Sequence, residues 1–597
     1  MGPTIPTTGT RRLNPPLSEP TALVLHQVDS QRSSNNLEKI KMDGKGWYEH
    51  YKRTDVDREF EHEQYQKIYR KYESLTEMTL SAFTETVPKQ KSYTGRKPII
   101  SSSVADTLCA KLGVVGILQK LNIILGTSYT QEMRSLCSLL EGYIIKGYDF
   151  GTAFSYLRPF WYNGLLNIED KLHTREAWDQ QMRQDVLVNN KIISPLLPPR
   201  HVWDLFSNRV VPWWAARKYP WAISHAWMKE EDRVDMRTPI NGYEWPVPMP
   251  RDANLDLIRI EMLNNGAQYA WLDVLCLRQV DGRREDLRAE ERVVCYLSGL
   301  GRPFSLKEND LESDTYWFRR AWTLQEARHG MTIGGDTGDH RFIEKEMRAT
   351  VENRLSSLEQ GASLLAMPVF IALSEMRKRV STNPLDRVAG LSYLVCMGGI
   401  PAYFAEQSEE EAWMELVNKM AIPHRQDLFF LYPQPGNGNM FWRPSWKQAM
   451  DGVLLPPQLS GRNSDWHEFV LRTKAKDADR CDGPCIESGY VWGLSQGSPE
   501  ENYREGELII KDTTGAKHTF KIIADHQHPI PEGLYALVGT RSYYHRKRLQ
   551  KWQFWVAGQR LPGQMFKKLS VFQIPNKKDV KRLHKLGVTR DTKIFLA

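Results

Sequence analysis

AWLDVLCLRQ, Ala270 to Gln279, is the stretch whose reading decides the fold. Trp271, Leu272, Val274, Leu275, Cys276 and Leu277 make a nearly unbroken apolar run. Such a run predicts a strand buried on both faces of a parallel sheet. One acid interrupts it, Asp273. A buried carboxylate is costly unless paired or bonded, so Asp273 is either satisfied by neighbouring backbone or directed into a site. A helix precedes the run. Leu255, Ile258 and Met262 share one helical face, Asp252 or Asn254 can cap its start, and Asn265-Gly266 can end it.

Working outward, YPWAISHAWMKEED (Tyr219–Asp232) is a short apolar strand that breaks into a polar loop at Ser224-His225. Downstream lie VVCYLSGLG (Val293–Gly301) and SDTYWFRRAWTLQEA (Ser313–Ala327). Strand, helix, strand, connection, strand, helix is the order of a doubly wound α/β unit. Tyr219–Ile223, Ala270–Leu277 and Val293–Leu297 are therefore expected as adjacent parallel strands. Open sheets of this kind bind ligands at the carboxyl ends of strands. Ser224, His225, Arg278, Gln279, Ser298 and Gly299 stand at such ends. The connection Arg278–Arg292 is short for a parallel crossover, which needs about 10–12 residues or more. Its DGRREDLRAEER stretch offers only Leu287 and Ala289 as apolar contacts.

Three blocks, SHAW (Ser224–Trp227), WLDVLCLRQ (Trp271–Gln279) and WFRRAWTLQE (Trp317–Glu326), together resemble the fungal heterokaryon-incompatibility (HET) domain. The resemblance runs from about Lys218 to Gly335, with the blocks in the family's order; the Arg278–Arg292 connection is shorter than the family's pattern. The flanks Arg200–Trp214, Asn383–Leu391 and Trp442–Met450 are also similar to large fungal members. The resemblance implies a cytoplasmic protein of non-self recognition that triggers programmed cell death, through a protein partner or self-association. It also implies a TIR-like parallel sheet, since the family is remotely similar to TIR domains. TIR domains that cleave NAD carry a W-C-x-x-E block whose Glu is the catalytic acid. Trp322-Thr323-Leu324-Gln325-Glu326 has that spacing, which implies Glu326 as catalytic residue of a nucleotide-cleaving enzyme. Ser224, His225, Asp273, Arg278, Gln279 and Arg320 would then form a nucleotide-binding rim. The alternatives stay open: Glu326 bonding backbone or pairing with Arg319 or Arg320, His225 as a base or a satisfied strand-end histidine, and Trp227, Trp271, Trp317 and Trp322 packed together as core. Neither an enzymatic activity nor a cofactor follows from the residues.

The rest of the chain sets the context. Its 597 residues, 41% hydrophobic and 25% charged with 19 Trp, describe ordinary globular material with large cores. Residues 1–95 read as a disordered N-terminus with a charged helix (Trp47–Glu85), 96–200 as a helical region, 201–340 as the α/β core, 341–450 as helical, and 451–597 as β-rich and basic. Helices are expected over Ala105–Leu125, Thr130–Lys146, Arg175–Asn190, Phe342–Val380 and Glu409–Met420, the last with Ser408 and Glu411 as a capping box. Strands are expected in GYVWGL, ELIIKD, HTFKIIAD, GLYALVGT, QFWVAG and KLSVFQI, forming a small sheet or barrel. Seven scattered Cys argue for reduced thiols and an intracellular setting. The first residues lack the apolar core of a signal peptide, and Pro6 spoils a myristoylation signal. LGVVGILQKLNIILG is too short to span a bilayer. From Arg541 on, 15 Lys and Arg face 2 acids, against +8 for the whole chain. RSYYHRKRLQKWQFW interleaves bases with aromatics, which suits a polyanion or is simply a solvated face. Cys481 and Cys485 are spaced for half a zinc site with no second pair, so no metal is expected. Gly334–Gly338 lacks the Lys-Ser/Thr of a P-loop and is expected to make a turn.

Overall fold

The computed structural model describes residues 92–597 apart from 163, 189–190, 193–196, 278–291, 305–312, 327–330, 336–348, 357–366, 397–398, 403–405, 439, 453–468, 474–477, 497–502 and 542–551. The expectations for residues 1–91, for Arg278, Gln279 and most of the connection after them, and for the basic-aromatic stretch at 542–551 lie outside the described residues.

Six strands build the α/β sheet: β1 (His201–Asp204), β2 (Arg209–Pro212), β3 (Trp221–His225), β4 (Tyr269–Leu272), β5 (Val293–Tyr296) and β6 (Met331–Ile333). Their order is β6-β5-β3-β4-β1-β2. β3 is central and parallel to both β4 and β5, with Ile223 opposite Leu272 on one side and Val294 on the other. β6 adds a fourth parallel strand beside β5. The expected adjacency of the three apolar strands is thus present. The sheet is nevertheless mixed, because β1 runs antiparallel to β4 and to β2. The reason is local. β1 and β2 are joined by Leu205–Asn208, where Asn208 takes a positive φ of 57° and the Asp204 carboxylate accepts the Phe206 N–H at 3.0 Å. So short a loop can only return the chain antiparallel.

The deciding stretch divides in two. β4 stops at Leu272, and Asp273–Cys276 form a single helical turn closed by Leu277 N–H to Asp273 C=O at 3.0 Å. The expected strand through Leu277 is therefore corrected. Asp273 Oδ1 accepts the next N–H, Val274, at 2.7 Å. Such a local bond offers the backbone an alternative to the strand ladder. Val274, Leu275 and Cys276 are buried in either conformation, so an apolar run could not tell the two apart. The helix Leu255–Asn264 between β3 and β4 is as expected. Asn254 caps it by accepting the Asp256 N–H at 2.8 Å, and Gly266 follows with φ 97°.

Alternate residues of β5 face opposite ways, as strand geometry requires. Val294 and Tyr296 pack with Trp221 and Ile223 against the helices Cys109–Leu125, Arg134–Ile145 and Phe150–Leu157. Val293, Cys295 and Leu297 pack with Trp317 against the helices Val369–Arg377, Glu409–Lys419 and Ile422–Phe430. Glu409–Lys419 carries the expected Ser408–Glu411 capping box and buries Trp413, Leu416 and Val417. That second core continues without a break into Val470, Cys481, Val538, Phe554 and Phe566 of the C-terminal strands.

Those strands are β7 (Phe469–Thr473), β8 (Ala478–Trp492), β9 (Arg504–Lys511), β10 (Lys517–Ala524), β11 (Gly533–Gly539), β12 (Gln553–Leu561), β13 (Met565–Ile574) and β14 (Arg590–Leu596). Pairing runs β8-β9-β10-β13-β12-β11 and returns to β8, so six strands close on themselves as a barrel. The first half of β8 leaves this circuit and pairs with β7 and β14. Val491, Leu508, Phe520, Leu537, Trp555 and Phe572 fill the interior, and Val580 and Leu583 of the helix Lys577–Lys585 join them. Cys481 and Cys485 are buried free thiols, and among the described residues no cluster of His, Cys, Asp or Glu could hold a metal. No described helix is long and apolar enough to cross a membrane.

Candidate functional site at the carboxyl end of the central strand

β3 ends in Ser224-His225, and strand alternation turns these two side chains to opposite faces. On one face, Trp317 Nε1 donates to Ser224 Oγ at 2.6 Å and Ser224 Oγ donates to Glu326 Oε2. On the other, His225 Nε2 lies 2.8 Å from Asp273 Oδ1, and Trp227 Nε1 donates to Asp273 Oδ2 at 3.0 Å. The His225 ring also stacks on Trp227, with centroids 5.9 Å apart. Parallel pairing brings the groups together. β4 ends immediately before Asp273, beside the end of β3, and β5 places Tyr296 opposite His225.

Glu326 closes a four-residue turn, Thr323–Glu326, rather than riding on a long helix. The turn is held from below. Thr323 Oγ1 donates to the Trp317 and Arg320 carbonyls, and Arg379 Nη1 donates to Thr323 Oγ1 and to the Phe318 and Arg320 carbonyls. Arg379 is buried, so its charge is felt through a low dielectric.

The electrostatics couple the two faces. Burial raises the Glu326 carboxyl above its ordinary range; the Ser224 bond, His225 and Arg379 pull it down and the Asp273 charge pushes it up. Burial opposes a charge on His225, yet the adjacent Asp273 carboxylate raises its pKa above the ordinary value. Burial likewise opposes ionisation of Asp273, but His225, the Val274 N–H and Trp227 bring its pKa below the ordinary value. Both shifts favour an imidazolium against a carboxylate. With Nδ1 of His225 3.3 Å from the Ala226 carbonyl, both ring nitrogens are engaged. A base needs a free nitrogen, so this geometry suits positioning and charge better than proton abstraction. Glu326 is the side chain of the group placed to act on a ligand. It is part-buried beside the strand end, bonded to the Ser224 hydroxyl, with His225 and Arg379 favouring its charge and Asp273 opposing it.

Of the rim expected from the sequence, Ser224, His225, Asp273 and Glu326 gather at the end of β3. Arg320 lies six residues before Glu326, and burial lowers its pKa, with Asp386 opposing, Arg233 adding to the drop and Asp314 opposing. Arg278 and Gln279 lie outside the described residues. Glu326 pairs with neither Arg319, which binds Asp314 at 3.1 Å, nor Arg320. The tryptophans do not form one cluster: Trp317 belongs to one core, while Trp227 and Trp271 pack on the other. Sequence reading missed Trp317 and Trp227 as donors to the site, although both lie inside the quoted blocks. It also missed Arg379, which no local pattern marks.

No family model, curated protein or solved structure matches this chain.

Proposed function

We propose that the chain is a HET-type protein of fungal non-self recognition, whose α/β core triggers programmed cell death through signalling or self-association. The observation that carries this reading is the convergence of the three blocks on which the resemblance rests. Ser224 of the first block is bonded to Trp317 and Glu326 of the third, and Asp273 of the second to His225 and Trp227 of the first. Residues far apart in the chain that bond one another at strand ends make a shared site, not three separate packing motifs.

A second reading is favoured by Glu326 itself. A part-buried carboxylate at the carboxyl end of parallel strands supports a reading in which Glu326 faces the ribose of a bound nicotinamide nucleotide. Its negative charge would stabilise the cation that develops as the glycosidic bond breaks. Incubating the full-length protein and Glu326→Gln with NAD separates the readings. Turnover lost in the variant supports the enzyme. Growth arrest on expression in a fungal host by both forms, with self-association by light scattering and no turnover, supports signalling alone. A monomer that arrests nothing and turns over nothing sinks both.

A further inference from the structure

The indole and the carboxylate that meet on Ser224 both belong to one short stretch, Trp317–Glu326. Two turns of three and four residues, Trp317–Arg319 and Thr323–Glu326, are joined through Arg320, whose backbone is extended at φ −86° and ψ 138°. Turns this short do not hold themselves, because a helical nucleus costs more order than its first bond returns. Their shape has to be imposed by other parts of the chain.

Arg379 imposes it, from the helical region that follows the α/β core. It lies two residues beyond the helix Val369–Arg377 and is 3% exposed. Its Nη1 reaches the Phe318 carbonyl at 2.8 Å, the Arg320 carbonyl at 3.1 Å and the Thr323 hydroxyl at 2.9 Å. Thr323 Oγ1 in turn lies 2.7 Å from the Trp317 carbonyl and 2.8 Å from that of Arg320, and donates to them. All the side-chain hydrogen bonds of Arg379 among the described residues go to this stretch. The next residue adds two main-chain bonds. Val380 N–H donates to the Arg319 carbonyl at 2.6 Å, and Ala321 N–H donates to the Val380 carbonyl at 3.0 Å.

A buried cation is costly, and an apolar side chain could fill the same bend more cheaply. What a guanidinium adds is a rigid set of donors that fixes several acceptors at once. The acceptors here lie between the two residues that bond Ser224. We propose that Arg379 is the positioning residue of this site, acting through Trp317–Glu326 to seat the Trp317 indole and the Glu326 carboxylate together on Ser224. The α/β core is then an incomplete site without the helical region after it. The inference deepens the reading of Glu326 as the group that meets the ligand, and rests on that reading for its consequence in turnover. The charges around Glu326 agree with it. Burial raises the carboxyl, the Ser224 bond lowers it, the Asp273 charge raises it, and His225 and Arg379 lower it.

Fluorine NMR of the full-length protein labelled with 5-fluorotryptophan tests this. Trp317→Phe assigns the Trp317 signal, and Ser224→Ala gives its position without the hydroxyl. Arg379→Gln is expected to move that signal toward its Ser224→Ala position while Trp203 and Trp555, in the other two cores, keep theirs. Arg379→Lys, which retains a cation with three donors, should restore much of the wild-type position. The pH midpoint of the Trp317 signal, absent in Glu326→Gln, should rise in Arg379→Gln because a favourable charge is lost. A folded Arg379→Gln with the Trp317 signal at its wild-type position overturns the proposal, and so does movement of all three signals together. Should Arg379→Gln fail to fold, Thr323→Val decides, since it removes the side-chain acceptor of Arg379: a displaced Trp317 signal supports the role and an unmoved one overturns it. If the wild type turns over NAD, Arg379→Gln should lower kcat by about 100-fold with KM little changed. A displaced signal with no turnover in the wild type supports the positioning role and ends the cleavage reading.

Discussion

His225 and Asp273 show how a single strand end can hold a charge pair. The pair is mostly buried, with side-chain exposures of 6% and 24%. Removing one partner of such a pair leaves the other charge uncompensated, and Asp273→Asn is expected to cost on the order of 3 kcal/mol near pH 6. The pH dependence follows from the two shifts. Asp273 is depressed below 3.8, so its contribution is present above that value and is lost as pH falls through its folded pKa. His225 is raised above 6.5, so its contribution is complete below that value and is lost as pH rises through its folded pKa. The difference in stability between wild type and Asp273→Asn should therefore peak between mildly acidic and neutral pH and shrink on both sides. Denaturant unfolding over a pH series measures it; a flat difference would show that the pair is not ionised. The acid in the apolar run was legible in the sequence as an anomaly. Its partners were not, because they come from another strand and another loop.

Among elements, the C-terminal barrel carries the clearest expectation. The charge excess after Arg541 invites reading that region as an appendage. Yet β12 and β13 stand side by side in the barrel circuit, and β14 pairs with β8 over Asp479–Cys485 and with β13. A chain ended before Arg541 loses all three. It also uncovers the interior partners of Trp555 and Phe572, and a large aromatic lost from a core costs roughly 3–5 kcal/mol each. Such a truncation should abolish cooperative melting of the C-terminal region, followed by circular dichroism. A truncated chain with the wild-type transition would show the tail to be separable after all. Strong alternation made six barrel strands legible. β7, β14 and the first half of β8 were missed: RCDGPC interrupts the apolar period with charge, Gly and Pro, and pairing with β7 and β14 holds it extended.

Across the whole molecule, polar groups buried between layers tie helices to barrel. Arg425 of the helix Ile422–Phe430 reaches Asp479 of β8 at 2.5 Å, and both are buried. Trp442 Nε1 donates to the same carboxylate at 3.1 Å. Lys568 of β13 donates to the Leu428 and Phe429 carbonyls at the end of that helix, at 3.1 and 2.7 Å. Burial drives the Lys568 amine well below its ordinary pKa, and its N–H groups satisfy carbonyls that the last turn of the helix leaves open. Asp479→Ala strands the buried Arg425 charge and should cost on the order of 4 kcal/mol. If the helices and the barrel are one cooperative unit, the variant lowers a single melting transition in scanning calorimetry. Two transitions, with only the barrel shifted, would show the layers to be independent.

The sequence by itself determined the local half of this protein. It marked the central strand, its parallel neighbours, the capped helices and most of the barrel, because periodicity, caps and turn residues act within a few positions. It also marked Asp273 as an acid out of place in an apolar run and Ser224 and His225 as polar residues at a strand end, while Glu326 was marked by the spacing its block shares with TIR domains. Tertiary structure alone decided which of them touch. Ser224 and Glu326 lie 102 positions apart and His225 and Asp273 lie 48 apart, and only strand order closes those distances. It decided too that β4 ends at Leu272, since the choice between strand and helical turn rests on where the Asp273 carboxylate finds its donors. And it decided that one face of the sheet, the following helices and the barrel share a core, because apolar surface carries no address until the layers meet.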